Sequence, residues 1–169
     1  LEIGVAVNLY GESMATVDLG DDRQLAIRQE TDYPNTGHVL IHIDPSEAAS
    51  FTVRLRVPAW CPGMRVNLNG ESVEDPGSGT PGAIELDRPW EKGDAITLDM
   101  PMPWRLVKGR EMQAARVAVM RGPVVYCLNP DRNDGLEGMC LRDDITLDPS
   151  SLSPPAVDDT IRPGGTACH

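Results

Sequence analysis

The sequence predicts an all-β protein. An antiparallel, jelly-roll-like β-sandwich is expected over residues 1–108, and the start of a second β-domain, ending in a loop-rich tail, over 109–169. Three observations predict it. Apolar and polar residues alternate with period two from end to end, and no stretch before residue 109 carries a helical period. Turn residues punctuate the runs at roughly ten-residue spacing, the rhythm of a sandwich or barrel. The composition, with 16 glycines, 15 prolines and only 4% aromatics, favours short aliphatic strands over helix.

The elements follow in order. Val5, Val7 and Leu9 alternate with Ala6, Asn8 and Tyr10. Ala15, Val17 and Leu19 alternate with Thr16 and Asp18, and Leu25 and Ile27 with Gln24 and Arg28. Val39, Ile41 and Ile43 face away from His38 and His42, and Val53, Leu55 and Val57 from Thr52, Arg54 and Arg56. Met64, Val66 and Leu68, then Ile84 and Leu86, then Ile96, Leu98 and Met100 repeat the pattern. Each run reads as an antiparallel strand with one dry face and one wet face.

Gly20-Asp21-Asp22, Asn69-Gly70 and Lys92-Gly93-Asp94 supply residues that tolerate positive φ, as hairpin turns require. Pro34-Asn35-Thr36-Gly37 reads as a further turn, and Asp75 to Gly82 as a loop too rich in breakers for any element. Beyond residue 109, Val117 to Asn129 reads as two strands broken by Gly122-Pro123. After Asn129 the chain turns acidic and rich in Ser, Pro and Gly, and it is expected to bury little.

At 169 residues the chain suits one domain or two small ones. A formal net charge of −11 excludes nucleic acid and anionic membrane surfaces as partners, because both require a basic footprint. No apolar run reaches the roughly 18 residues of a membrane span, and no signal peptide opens the sequence. The first residue is Leu1 rather than methionine, which reads as a piece of something longer. Cys61, Cys127, Cys140 and Cys168 stand apart with no Cys-x-x-Cys, so scattered reduced thiols and a cytosolic home are expected.

No active centre emerges from spacing. A glycosidase needs two carboxylates flanking the scissile bond, one of them desolvated. The acids here, such as Asp21-Asp22, Glu71, Glu74, Asp143-Asp144 and Asp158-Asp159, sit in polar turns. His38 and His42 share a strand face about 13 Å apart, too far for one zinc with bonds of about 2 Å; His169 is terminal. Asp131 to Glu137 is oxygen-rich, but its glycine is fifth and Arg142 stands twelfth, against the sixth and twelfth positions of a calcium loop. There is no Gly-x-Ser-x-Gly, phosphate loop or dinucleotide fingerprint. Neither catalytic residues nor metal ligands are expected in this sequence.

The three tryptophans are the remaining candidates. Trp60 and Trp90 stand where strands end beside proline, and each could close the sandwich while its N–H reaches a carbonyl. Alternatively Trp60, Trp90 and Trp104 are stacking surfaces of a carbohydrate-binding module, with Tyr10 or Tyr33 nearby.

Six blocks occur in order: Gln29-Glu-Thr-Asp-Tyr-Pro-Asn-Thr-Gly37, Leu55-Arg-Val-Pro-Ala-Trp60, Val66-Asn-Leu-Asn-Gly70, Arg88-Pro-Trp-Glu-Lys-Gly-Asp94, Leu98-Asp-Met-Pro-Met102 and Val117 to Cys127. Together they resemble the region that follows the catalytic barrel in the β-L-arabinofuranosidase family, glycoside hydrolase family 127. The resemblance covers residues 1 to about 129.

The resemblance implies a parent with an (α/α)6 barrel followed by β-sandwich domains. In that barrel zinc is held by three cysteines and a glutamate, one cysteine is the nucleophile, and a separate glutamate is the acid/base. The family's adjacent Cys-Cys pair lies upstream of these blocks and is absent here, so no catalytic or zinc-binding residue transfers. The expected function is a non-catalytic accessory sandwich, inactive alone. Its expected partners are the barrel of the same parent chain and plant arabinoglycans, with zinc only in the parent's catalytic domain.

Overall fold

The runs in which β-branched and aliphatic residues alternate form the strands of the computed structural model. It describes residues 4–73, 82–114, 116–129, 145–160 and 164–167. These fall into two units, Leu1–Met102 and Pro103–His169.

The first unit carries β1 (Gly4–Val7), β2 (Ser13–Gly20), β3 (Arg23–Thr31), β4 (His38–Pro45), β5 (Ala49–Arg56), β6 (Arg65–Leu68), β7 (Glu71–Ser72), β8 (Ala83–Trp90) and β9 (Asp94–Asp99). Six of them form one antiparallel sheet in the order β2-β3-β4-β9-β6-β7, and three form a second, β1-β5-β8. Val39, Ile41, Ile43, Ile96 and Leu98 of the wide sheet meet Phe51, Val53, Leu55, Ile84 and Leu86 of the narrow one in a single core. The unit is thus a β-sandwich whose dry faces, apart from Leu9 and most of β2, are those the alternation predicts.

One pairing departs from the antiparallel expectation. β1 runs parallel to β5, Val5 opposite Val53 and Val7 opposite Leu55. Parallel neighbours need a long crossover. Here the chain builds β2, β3 and β4 in the opposite sheet before β5 returns beside β1. At Gly4 the backbones approach so closely that a Cβ would lie 2.9 Å from the Thr52 carbonyl oxygen. β1 also ends at Val7, leaving Leu9 exposed instead of buried.

The β6–β7 hairpin turns on Asn69 (φ 51°) and Gly70 (φ 87°), the doubly positive pair of a type I′ turn. Between β2 and β3, Gly20, Asp21 and Asp22 are all left-handed.

The second unit contains β10 (Trp104–Lys108), β11 (Val117–Arg121) and β12 (Val124–Tyr126) in an antiparallel meander, with short strands β13 (Ala156–Val157) and β14 (Thr166–Ala167). Segment 104–108, which the sequence predicts as the end of the first domain, pairs residue for residue with β11. The cause is local: Pro101 and Pro103 bracket Met102, and neither can donate to a ladder, so β9's sheet stops and a new one begins. Gly122 (φ 56°) followed by Pro123 makes the tight β11–β12 turn. Among the described residues, every fully buried apolar side chain belongs to the first unit.

Candidate functional site

Each tryptophan is held by the protein itself. Trp90 ends β8 opposite Ala49 and has no exposed surface. Its Nε1–H donates to the Phe51 carbonyl at 2.9 Å, its ring stacks on Phe51 at 5.9 Å, and the Arg88 guanidinium covers it 5.1 Å from the ring centroid. No face is left for a sugar, so the stacking role considered for Trp90 does not survive; the indole closes the core. Trp60 is half-buried against the core in the turn after Pro58.

Trp60 and Trp90 also lie toward opposite ends of β5, Trp90 opposite Ala49 at its start and Trp60 after its last residue, Arg56. The ladder from Ala49↔Trp90 to Arg56↔Ala83 spans about 23 Å at ~3.3 Å per residue, so the two rings cannot share a platform. Trp104 belongs to the second unit, edge-to-face with Tyr126 at 4.8 Å, its Nε1–H donating to the Ser153 carbonyl at 3.2 Å.

The motif blocks gather at the two ends of the sandwich. At one end the Tyr10 hydroxyl donates to the Arg56 carbonyl at 2.6 Å, and its ring meets Tyr33 edge-on at 6.2 Å. Thr31 Oγ1 accepts from the Tyr33 amide and donates to the His38 carbonyl. The Met100 amide donates to the Gly37 carbonyl at 2.9 Å, and Cys61 Sγ lies 3.7 Å from the Pro101 carbonyl. Blocks 29–37, 55–60 and 98–102 are thereby tied into one plug.

At the other end Asn69 Nδ2 donates to Asp94 Oδ1 at 2.7 Å, and Asn69 Oδ1 accepts from the Ala95 amide at 2.8 Å. Asp94 Oδ2 accepts from the Glu91 amide at 2.9 Å, and the Gly93 amide donates to Asp44 Oδ1 at 2.9 Å. Blocks 66–70 and 88–94 form this second closure.

The electrostatics are those of closure, not of acid–base chemistry. Burial pushes the Tyr10 and Tyr33 hydroxyls up in pKa, against the opposing Arg56 charge. Burial and the nearby Asp99 raise the Cys61 thiol, which keeps it protonated. Burial would raise Asp94 too, but hydrogen bonds from Glu91 and Asn69 and the Arg88 charge outweigh it and hold the carboxyl below the usual aspartate range. Tyr10, Cys61, Asn69 and Asp94 are closure residues that sequence reasoning does not single out; the one local signal was the placement of Asn69 and Asp94 inside turn motifs.

Among the described residues no three His, Cys, Asp or Glu side chains converge as metal ligands. Cys61 is committed to the first closure, Cys127 is exposed in the second unit, and His42 Nε2 lies 3.2 Å from Glu30 Oε1 on an outward strand face. The zinc that the family implies does not fit these residues. The Asp131 to Glu137 segment, Glu74, Asp143, Asp144, Cys140, Cys168, His169 and nearly all of the 75–82 loop lie outside the described residues. Among those described, no helix is long and apolar enough to cross a membrane.

Residues 4–102 match the family model of the β-L-arabinofuranosidase GH127 middle domain. The chain is 33% identical over 120 residues to a non-reducing end β-L-arabinofuranosidase of Bifidobacterium longum subsp. longum, covering 66% of this chain and 18% of that protein. A GH127 β-L-arabinofuranosidase from Geobacillus stearothermophilus T6 superposes with TM-score 0.69 at 37% identity, over 76% of this chain and 20% of that one. A second solved structure, described as a glycoside hydrolase, gives TM-score 0.71 at 34% identity over 79% and 23%. The chain therefore spans about a fifth of the length of the relatives it matches.

Proposed function

The chain belongs to glycoside hydrolase family 127, and from that membership we propose that it is a non-catalytic accessory region of an arabinofuranosidase. The sandwich of residues 4–102 supports a catalytic (α/α)6 barrel elsewhere in the same polypeptide, and that barrel carries the zinc and the bond-breaking residues. Arabinofuranosides of plant glycans are the substrates of the whole enzyme.

One observation carries this reading. The residues of the motif blocks are engaged in closing the two ends of the core, with donors and acceptors directed at one another. A catalytic acid must hold its proton, and a catalytic nucleophile or base must keep a carboxylate oxygen free to face substrate in a pocket. Asp94, the one buried acid among the described residues, is held ionised, and its two oxygens are taken by the Asn69 side chain and the Glu91 amide.

The test is the purified 169-residue chain offered 4-nitrophenyl β-L-arabinofuranoside and arabino-oligosaccharides. No nitrophenol release and no saturable change in tryptophan fluorescence are expected. Hydrolysis would overturn the non-catalytic role, and saturable quenching by the oligosaccharides would overturn the supporting one in favour of binding.

A further inference from the structure

The two sheets of the sandwich differ in width, three strands against six. β1 is the edge of the narrow sheet, and opposite it the wide sheet continues through β3 to β2. Register fixes which side of β2 faces inward: Ala15 lies opposite Ile27 and Val17 opposite Leu25, and both partners are buried. Ala15 is nevertheless exposed and Val17 only half-buried. The overhang leaves a groove of about 210 Å³ lined chiefly by Val5, Val7, Ala15, Val17, Ile27 and Gln29.

Gln29 shares the inward face of β3 with Ile27. Its amide nitrogen donates to the Leu9 carbonyl at 3.3 Å and to Ser13 Oγ at 3.0 Å, while Oε1 is buried without a hydrogen-bond partner. Along its other edge, β1 has no ladder partner among the described residues.

We infer that the narrow sheet is one strand short. An extended segment of the same polypeptide, from outside these 169 residues, adds to the free edge of β1; its alternate apolar side chains fill the groove, and a donor reaches Gln29 Oε1. The occupant is a strand because the site offers an open backbone edge together with an apolar floor on the opposite sheet, which is what β-augmentation requires. It comes from the same polypeptide because the matched relatives are about five times longer than the aligned region. The net charge of −11 also opposes pairing of two copies. This inference rests on the accessory-region reading given above.

The experiment is thiol labelling at position 15. Ala15→Cys is made in the 169-residue chain and in the full-length polypeptide, treated with iodoacetamide, and read by peptide mass spectrometry. Labelling is expected to be fast in the short chain and slowed about tenfold or more in the long one. Thr16→Cys, on the outward face of β2, is expected to label alike in both. Equal labelling at position 15 in the two proteins overturns the inference, and so does equal slowing at positions 15 and 16, which would mean bodily cover by another domain. Slow labelling of a short chain that sediments as a dimer also overturns it, in favour of a second copy. Val17→Cys, read in the same way, serves if Ala15→Cys does not fold. Arabinose release by the long polypeptide but not by the short chain checks the functional reading separately.

Discussion

Trp90 combines two energetic roles in one side chain, and substitution can separate them. Trp90→Ala removes the largest fully buried side chain and is expected to cost about 3–5 kcal/mol, a large part of the roughly 5–15 kcal/mol of a small domain. Trp90→Phe keeps a ring against Phe51 but strands the Phe51 carbonyl, and about 1–3 kcal/mol is expected. Urea denaturation checks both, and a neutral Trp90→Phe would show that the hydrogen bond adds nothing. Asp94 predicts a pH dependence of definite sign. Its folded pKa is depressed, so its stabilising contribution is complete above the unfolded value of about 4 and disappears as pH falls through the folded one. The stability gap between the native chain and Asp94→Asn should be widest above about pH 5 and narrow below pH 4. A gap independent of pH would exclude the carboxylate as the group that titrates. Neither role was legible locally, because an indole beside a proline looks the same in sequence whether its partner is a sugar or a carbonyl 39 residues away.

Strands were legible wherever both faces of a run have a constant environment. In β4, Val39, Ile41 and Ile43 alternate with half-exposed or exposed neighbours and are wholly buried, as the pattern requires. The pattern says nothing about partners, so the parallel β1–β5 pair and the attachment of β10 to β11 were not predicted. It also overstates burial at β2, where only Leu19 of the alternating set is buried because the opposite sheet stops short. Two turn glycines show how differently one residue type can serve an element. At Gly37 a Cβ would collide with the Met100 backbone carbonyl, at the contact that joins β4 to the end of β9. At Gly70 nothing lies within 4 Å, and only the left-handed backbone resists a side chain. Gly37→Ala is therefore expected to destabilise by several kcal/mol and to lower the thermal midpoint sharply, whereas Gly70→Ala should cost about 1 kcal/mol. Similar losses at the two positions would show that the approach at Gly37 relaxes.

The family match and the buried core end together at Met102, and this makes autonomy of the first unit a property that can be measured. Cooperative unfolding needs a closed apolar core, and residues 1–102 contain one that spans both sheets and is sealed at each end by its motif blocks. In the second unit, Leu106, Val107, Val117, Val125 and Val157 are exposed, so its strands offer apolar surface without enclosing it. Residues 1–102 alone are expected to unfold in one transition, at the same urea midpoint as the main transition of the 169-residue chain. Residues 103–169 alone are expected to show no cooperative transition by circular dichroism and to bind the dye ANS. A cooperative transition in the isolated 103–169 segment would mean that its strands close a core of their own. A large fall in the midpoint of residues 1–102 on truncation would mean that the sandwich depends on the segment after Met102. Either result would move the structural boundary away from the bracketing prolines, Pro101 and Pro103, and with it the limit of what this region can contribute to an enzyme as an independent support.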